Sequence, residues 1–349
     1  MEEEKQVHKR RVRYQGTHPK HYQEKYKELQ PEKYAQDIEK VIERGSTPAG
    51  MHLSICVAEI LDFLQIEPGQ TGLDATLGYG GHTVKMLEKL DGKGHLYALD
   101  VDSIEIEKTG ERLRKLGFGA EILTIVPLNF ADVDTVAQKA GQFDFVLADL
   151  GVSSMQIDNP DRGFSYKSEG PLDLRLNPAK GESAAQRLAE MSQEEIHGML
   201  TENADEPYAA EIAKAITKTF AAGAQIDTTT QLRQVIARAL AFLPIAEQKD
   251  AVKKSCQRTF QALRIDVNSE FEVLYAFLEK LPQVLSKGGR VAILSFHSGE
   301  DRLVKKSFKS LFKEGVYSEI SDGVIRPSAE ECYRNSRAHS AKLRWAIKA

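Results

Sequence analysis

The chain has 349 residues, of which 41% are hydrophobic and 28% charged, and its formal net charge is −4. This composition is ordinary for a globular protein, and the absence of an 18-residue apolar run argues against a membrane span. The charged N-terminus is no secretory signal. Three widely separated cysteines indicate neither a disulfide framework nor a zinc site. We therefore expect a reducing, cytoplasmic compartment and one large domain, or one domain with an insertion.

Because the net charge is negative, contacts with nucleic acid would have to come from local basic patches. Residues 5–27 form one patch, with eight basic residues and three interleaved tyrosines. Each of two further patches holds five basic residues: Arg302, Lys305, Lys306, Lys309 and Lys313, then Arg334, Arg337, Lys342, Arg344 and Lys348. A solvated face or a flexible arm is the alternative interpretation of such charge runs.

Residues 1–50 predict a basic N-terminal extension that ends in a loop. From residue 51 onward, helical and strand patterns alternate. Helices are predicted over residues 55–64, 82–90, 103–116 and 132–140, and strands over residues 71–76, 95–99, 120–126 and 143–148. This alternation indicates a parallel sheet covered by helices on both faces.

The alternation stops at residues 157–255, where helical patterns near residue 192 and over 209–220 and 231–242 predict an inserted helical domain. The α/β pattern then resumes. Its predicted elements are helices over 269–285 and 301–312 and strands over 290–294 and 342–347. The expected fold class is therefore α/β, with one sheet domain formed by residues 51–156 and 256–349 around the insertion.

A glycine-rich turn, Asp74-Ala75-Thr76-Leu77-Gly78-Tyr79-Gly80-Gly81-His82, follows the first predicted strand. Glycines let the backbone approach a ligand at a helix N-terminus. Asp100 ends the next strand, where an acid can bind ribose hydroxyls of a nucleoside cofactor. The spacing alone does not separate a dinucleotide from S-adenosylmethionine. The turn is not G-x-G-x-x-G, and Asp74 favours a cationic methionine portion over a pyrophosphate. The alternative is a structural turn in which Asp74 caps the helix.

Three further segments contain chemically active side chains. Asp149 ends the fourth predicted strand, where it could accept a hydrogen bond from an exocyclic amine; turn chemistry is the alternative. The loop Arg162-Gly163-Phe164-Ser165-Tyr166 suits base stacking and phosphate contacts, or is simply a folded loop. His297, in Ser295-Phe296-His297-Ser298, follows a predicted strand and suits either proton transfer or a helix start.

The cysteines bear on the reaction type. Methylation of a pyrimidine at C5 normally needs a cysteine nucleophile, and none of these motifs contains one. Cys256 is the nearest candidate, and we interpret it as structural. An exocyclic nitrogen needs only alignment with the methyl group and loss of a proton.

These segments resemble the RsmH/MraW family of small-subunit ribosomal RNA methyltransferases, which modify the N4 amine of a cytidine near the decoding centre. The resemblance runs from about residue 51 to the end of the chain. It rests on long motifs such as Asp149-Leu150-Gly151-Val152-Ser153-Ser154, Gly170-Pro171-Leu172-Asp173-Leu174-Arg175 and Arg258-Thr259-Phe260-Gln261-Ala262-Leu263-Arg264-Ile265. Residues 1–50 lie outside the usual family pattern, so the chain is similar to a long-form paralogue.

The resemblance implies a Rossmann-like S-adenosylmethionine methyltransferase sheet with an inserted helical substrate-recognition domain. It also implies a set of cofactor-binding residues: Gly78, Gly80, Gly81, His82, Asp100, Phe130, Asp149 and Gln156. Asp149 is the expected catalytic residue, and Arg162, Phe164 and Arg258 are the expected substrate-binding residues. No metal is expected.

The expected substrate is small-subunit (16S) ribosomal RNA, with no membrane partner, and a homodimer is left open. One alternative is a methyltransferase that acts on another RNA or on protein, and a second is a non-catalytic ribosome-assembly factor. A nicotinamide-dependent dehydrogenase is disfavoured by Asp74 and by the missing G-x-G-x-x-G pattern.

Overall fold

The described part of the chain, residues 54–349 of a computed structural model, is built around one seven-stranded sheet. The basic patch at residues 5–27 lies outside the described residues. The strands are β1 (Thr71–Asp74), β2 (His95–Asp100), β3 (Leu123–Pro127), β4 (Phe143–Asp149), β5 (Leu285–Ser295), β6 (Tyr317–Ile320) and β7 (Lys342–Lys348). Their order is β3-β2-β1-β4-β5-β7-β6, and β7 runs antiparallel to both of its neighbours, whereas β1 to β5 pair in parallel.

The helices of the described residues cover both faces of this sheet and form the long connection between β4 and β5. They are α1 (Val57–Leu64), α2 (Gly81–Leu90), α3 (Ser103–Lys115), α4 (Val133–Ala140), α5 (Ser154–Asp158), α6 (Ala184–Glu190), α7 (Gln193–Ala204), α8 (Ala209–Ala221), α9 (Thr229–Ala239), α10 (Ile245–Asn268), α11 (Glu270–Val284), α12 (Ser298–Lys313) and α13 (Ala329–Arg334). Among residues 54–349, no helix is both long and apolar enough to cross a bilayer.

The central strand β4 shows why the sheet is buried on both faces. Successive side chains of a strand point to opposite faces. Phe145 and Leu147 accordingly pack into one hydrophobic cluster, while Val146 and Ala148 pack into the other. All four side chains are fully buried. A parallel sheet covered on both faces needs such continuous apolar strands, and the expected α/β fold is confirmed.

The connection between β4 and β5 has a hydrophobic cluster of its own, which extends from Phe164 to Leu263. Helix α10 contributes Cys256, Phe260 and Leu263 to it, on one helical face. The sequence did not predict α10, and the proposed domain boundary at residues 255/256 falls inside it. We keep the division into a sheet domain and a helical insertion as a proposal.

Gly72 in β1 provides a test of packing in the sheet. A Cβ atom at Gly72 would lie 2.0 Å from the ring of Phe145, its fully buried partner on β4. We expect Gly72→Ala to lower the free energy of unfolding by about 1–3 kcal/mol, because the ring must move within a packed core. The matched control is Gly198→Ala on α7, where the added Cβ meets open space. Chemical denaturation that showed equal stabilities for the two variants would contradict this packing.

Candidate active site

A cleft of about 710 Å³ opens at the carboxyl ends of β1, β2 and β4, the place where open α/β sheets bind ligands. One wall consists of the turn after β1, the end of β2 and the segment after β4. The opposite wall includes one face of α10, with Gln257, Phe260, Gln261, Arg264 and Asn268. The structure thus brings all eight predicted cofactor residues together in one cleft from separate segments of the chain.

Glycines shape the turn after β1. Gly78 and Gly80 have φ angles of 47° and 75°, in the left-handed region that side chains disfavour. A Cβ atom on Gly80 would also come within 3.0 Å of Thr109 Cγ2. The Thr109 hydroxyl donates a hydrogen bond of 2.8 Å to the Gly78 carbonyl. Helix α3, which contains Thr109, therefore stabilises the turn.

Asp74 does not line the cleft. It is 1% exposed, and its carboxylate accepts hydrogen bonds from the Thr83 hydroxyl at 2.7 Å and the Thr76 backbone N–H at 3.1 Å. Burial raises the pKa of Asp74 in spite of these bonds. Asp74 therefore ties β1 to α2, and the interpretation that it faces the methionine portion of the cofactor is wrong for this structure.

Asp100 lies on the cleft wall at the end of β2. One carboxylate oxygen accepts from the Gly78 backbone N–H at 2.7 Å and the other from the Asp102 backbone N–H at 2.9 Å. Burial raises the pKa of Asp100 to about 6 although these N–H groups favour the charged form. The carboxylate is therefore held beside the glycine turn and changes charge close to neutral pH.

Asp149 and His82 face each other across the turn. His82 Nε2 lies 3.5 Å from Asp149 Oδ2. Burial alone would lower the pKa of His82, but the Asp149 and Asp74 carboxylates outweigh it and raise the pKa. Asp149 Oδ1 is shielded from solvent and has no hydrogen-bond partner among the described residues. A buried acceptor without a partner is costly unless a ligand satisfies it.

Phe130 and Gln156 complete the predicted cofactor set, and both line the cleft. The Phe130 ring packs edge-on against Phe277, with centroids 5.2 Å apart. The Gln156 side chain is already committed within the protein, because its Oε1 accepts from the Ser153 backbone N–H at 2.8 Å and its Nε2 donates to Asp102 at 2.7 Å. Both ends of the Gln156 amide are therefore hydrogen-bonded within the protein, and these bonds stabilise this wall of the cleft.

Arg162 contradicts the prediction that it faces RNA. It is only 8% exposed, and one guanidinium nitrogen donates to the Asp102 carboxylate at 2.7 Å. The other donates to the backbone carbonyls of Arg175 and Leu176. All of these partners are internal, so Arg162 holds the loop after α5 against the sheet domain.

The two other predicted substrate residues also deviate from expectation. Arg258 is absent from the cleft lining, and its guanidinium lies 3.9 Å from the buried Glu206 carboxylate, because it projects from another face of α10. Phe164 does line the cleft, but it is 8% exposed and belongs to the helical hydrophobic cluster. Tyr166, half-buried and edge-on to Phe260 at 5.8 Å, is the more accessible aromatic side chain.

Sequence reasoning singled out His297 but missed the second polar cluster to which it belongs on the cleft wall. Arg264 donates to both oxygens of Glu270, at 2.7 and 2.9 Å. His297 Nε2 lies 3.3 Å from Glu300. Burial would raise the pKa of Glu300, but His297 and Arg264 outweigh it and lower the pKa. The periodicity of Gln257, Gln261, Arg264 and Asn268 along one helical face was the available signal, once α10 is recognised as a helix.

The chain is similar in sequence to proteins that are named as ribosomal RNA methyltransferases. A protein of Lachnoclostridium phytofermentans named "Ribosomal RNA small subunit methyltransferase H 1" is 71% identical over 348 residues, which cover 100% of this chain and 95% of that protein. "Ribosomal RNA small subunit methyltransferase H 2" of Alkaliphilus metalliredigens is 67% identical over the full length of both chains. "Ribosomal RNA small subunit methyltransferase H" of Koribacter versatilis is 38% identical and covers 85% of this chain and 94% of its own.

The sheet order and the place of the cleft are those of a Rossmann-like α/β fold, and the family model and the named relatives define the class of protein as an S-adenosylmethionine-dependent methyltransferase. The sequence model of the MraW methylase family matches residues 49–349. The chain belongs to the MraW methylase family. Residues 1–48 lie outside that match, but the two more similar relatives align with the whole chain.

We expect Arg162→Met to lower the free energy of unfolding by about 3–5 kcal/mol, because it leaves the Asp102 charge buried without its partner. Arg162→Lys should restore little, since an ammonium cannot reproduce the fork that reaches Asp102 and two carbonyls. Thermal and chemical denaturation measure both variants. Full stability of Arg162→Met together with weakened RNA binding would revive the prediction that Arg162 faces RNA.

The raised pKa of Asp100 predicts a pH dependence of cofactor affinity. A ribose hydroxyl bonds more strongly to the ionised carboxylate, so affinity should level off about one pH unit above the pKa of about 6 and fall as the pH drops through 6. The dissociation constant should rise by up to about tenfold per pH unit below that point. Calorimetric titration of S-adenosylmethionine between pH 5 and 8 tests this. Asp100→Asn should bind weakly and lose this step; an unaltered step in that variant would assign the titration to another group, such as His82.

Proposed function

We propose that this chain transfers a methyl group from S-adenosylmethionine to the N4 amine of a cytidine in small-subunit ribosomal RNA, near the decoding centre. The observation that carries the proposal is the Asp149 carboxylate, which lies at the end of β4 beside the glycine turn. Its Oδ1 atom is buried in the cleft wall without a partner among the described residues. The names of the relatives at 71% and 67% identity support ribosomal RNA as the substrate.

The donor and acceptor groups of the cleft fit the cofactor. We assign Gly78, Gly80 and Gly81 to the close backbone approach and Asp100 to the ribose hydroxyls. Phe130 supplies an aromatic surface for the adenine. When bound there, S-adenosylmethionine supplies an electrophilic methyl group on a positively charged sulfur, a charge that the acidic side chains of the cleft favour.

Asp149 and His82 act together on the target amine. His82 lies beside Oδ2, which leaves Oδ1 free to accept a hydrogen bond from the N4 amine. That bond directs the nitrogen lone pair toward the methyl group and stabilises the positive charge that develops on nitrogen. As the bond from nitrogen to the methyl carbon forms and the methyl–sulfur bond breaks, the Asp149 carboxylate accepts the proton that the amine releases. Alignment and charge stabilisation therefore supply the acceleration.

Cysteine chemistry does not compete with this mechanism. No cysteine lies among the cleft-lining residues of the described chain. Cys56 and Cys256 are buried, and burial raises the pKa of each thiol to about 12. Only the thiolate is an effective nucleophile, so a covalent attack of the kind needed for C5 methylation is disfavoured. The exocyclic amine is the cytosine position that these residues suit.

The helical wall is the part of the cleft that we assign to the target base. Tyr166 and Phe260 present aromatic rings, and Gln257, Gln261 and Arg264 add polar groups. Flipped or unpaired bases are commonly read by such a combination of stacking and hydrogen bonds. We therefore propose residues 157–255, together with the face of α10, as the substrate-recognition part. A cytoplasmic location agrees with this substrate, and the homodimer remains a prediction.

Asp149→Asn preserves the shape of the side chain but removes its charge. We expect the transfer rate to fall by about 10²–10⁴-fold, because the developing charge on the amine loses its partner. The transfer rate of Asp149→Ala should fall by at least the same factor. Single-turnover transfer of labelled methyl groups to small subunits measures the effect, with calorimetry as the check that cofactor binding persists. A wild-type rate in either variant would remove Asp149 from the reaction.

The substrate itself is tested by mass spectrometry of small-subunit RNA after incubating undermethylated subunits with the protein and labelled S-adenosylmethionine. N4-methylcytidine near the decoding centre is the expected product. Label on another nucleotide, or on protein, would preserve the enzyme class and change the target. Cofactor binding without transfer would favour a non-catalytic ribosome-assembly factor.

A further inference from the structure

One exposed face of helix α12 is uniformly basic. Arg302, Lys306, Lys309 and Lys313 are spaced three or four residues apart, Lys305 lies beside Lys306 and four residues before Lys309, and all five are exposed. Residues at these intervals share one face of a helix. At a rise of about 1.5 Å per residue the row is about 16 Å long. We call these five residues the α12 stripe.

The acidic residues of α12 do not neutralise the stripe, because they face inward. Glu300 is 3% exposed on the cleft wall, where it accepts from the Phe296 backbone N–H at 3.2 Å. Asp301 accepts from Arg344 on β7, at 2.6 and 3.2 Å. The helix therefore separates its charges, with the acids in the protein and the bases in solvent.

The stripe also differs from the basic patch of the C-terminal tail. Within that tail, Arg344 is buried and paired with Asp301, and Arg337 lies 3.1 Å from Asp158. None of the five stripe residues has an ion-pair partner anywhere in residues 54–349. A favourable interaction with the helix C-terminus accounts for Lys313 in the last turn, but not for the other four.

The position of α12 connects the stripe to the cleft. Helix α12 begins directly after His297, and both His297 and Glu300 line the cleft. Residues two apart project from opposite sides of a helix, so Arg302 begins the stripe on the solvent side of α12, about one helix diameter from Glu300. Five acidic side chains line the cleft, among them Asp100 and Asp149, against three basic ones, Lys167, Arg264 and Arg337, so the net charge of the cleft does not favour phosphates. An RNA whose base enters the cleft needs its backbone charge met outside, where the stripe lies.

We propose that the α12 stripe binds the phosphate backbone of the substrate RNA next to the target nucleotide. The inference rests on the proposed function, because it takes the cleft as the entry point of an RNA base. Lysines and arginines that contact phosphates supply affinity and orientation without reading sequence. The stripe thus sets how the RNA lies across the cleft, while the cleft selects the base.

The test is the triple variant Lys305→Gln/Lys306→Gln/Lys309→Gln, in the full-length chain. Its control is Lys89→Gln/Lys115→Gln/Lys139→Gln, which makes the same change in charge. These control lysines lie in the last turns of α2, α3 and α4. Those turns are near the amino ends of the strands, whereas the cleft lies at their carboxyl ends. Binding to small ribosomal subunits and to protein-free small-subunit RNA is measured between 50 and 200 mM salt, with circular dichroism and cofactor titration as checks of folding.

We expect the stripe variant to bind both probes about tenfold or more weakly and to reduce the slope of log K against log salt by roughly 2. The control should match the wild type. Equal losses in the two variants, or none in either, would overturn the proposal. So would a loss on intact subunits with normal binding to protein-free RNA, because the stripe would then contact a ribosomal protein.

Methyl transfer by the wild type, measured on the same subunits, separates this inference from the proposed function. If the wild type methylates its cytidine and the stripe variant binds normally, the stripe proposal fails and the function stands. If the stripe variant loses RNA binding but the wild type transfers no methyl group, the phosphate contact stands and the proposed function fails.

Discussion

The arrangement of the cleft depends on one buried ion pair, between Asp102 and Arg162. Asp102 is fully buried, caps α3 through its carboxylate and accepts hydrogen bonds from Gln156 and Arg162, each at 2.7 Å. One side chain thereby joins the strand that carries Asp100, the helix after β4 and the loop that leads into the helical insertion. A buried charge is tolerated only when partners of this kind satisfy it. That requirement fixes the loop after α5 against the sheet side of the cleft.

Local sequence patterns predicted much of this structure, because the alternation of apolar strands and amphipathic helices depends on neighbouring residues only. The strand ends at Asp100 and Asp149 and the glycine turn followed from the same patterns. The direction of a particular side chain did not. The loop that contains Arg162 has a composition typical of RNA contacts. The actual partner of Arg162 is Asp102, which lies 60 residues earlier, and no spacing rule links the two. Predicting the direction of Arg258 would have required recognising α10 as one continuous helix and knowing which face of that helix is buried. Strand β6 has four residues, two of them exposed, so it carried little signal.

The charges are distributed according to the needs of two different ligands. The cleft concentrates carboxylates, which suit a positively charged cofactor and an amine that becomes positive as it reacts. Five acidic and three basic side chains line the cleft, so it offers RNA phosphates no net positive surface. The overall charge of −4 is therefore compatible with an RNA substrate only if basic residues are gathered elsewhere on the surface. Helix α12 does this within a single element, because its acids pair inside the protein and its bases remain in solvent.

The place of the helical insertion has a consequence for how the chain folds. Strands β4 and β5 are neighbours in the sheet, and their register joins Phe145 to Arg290 across the whole insertion. Closing so long a connection is entropically unfavourable and slow when the intervening chain is unfolded. The helices of the insertion make mostly local contacts and bury their own hydrophobic cluster, so they can form first. Once compact, they bring the ends of β4 and β5 together. If the inserted part forms early, the chain on either side of it has a much shorter loop to close before β4 and β5 can pair.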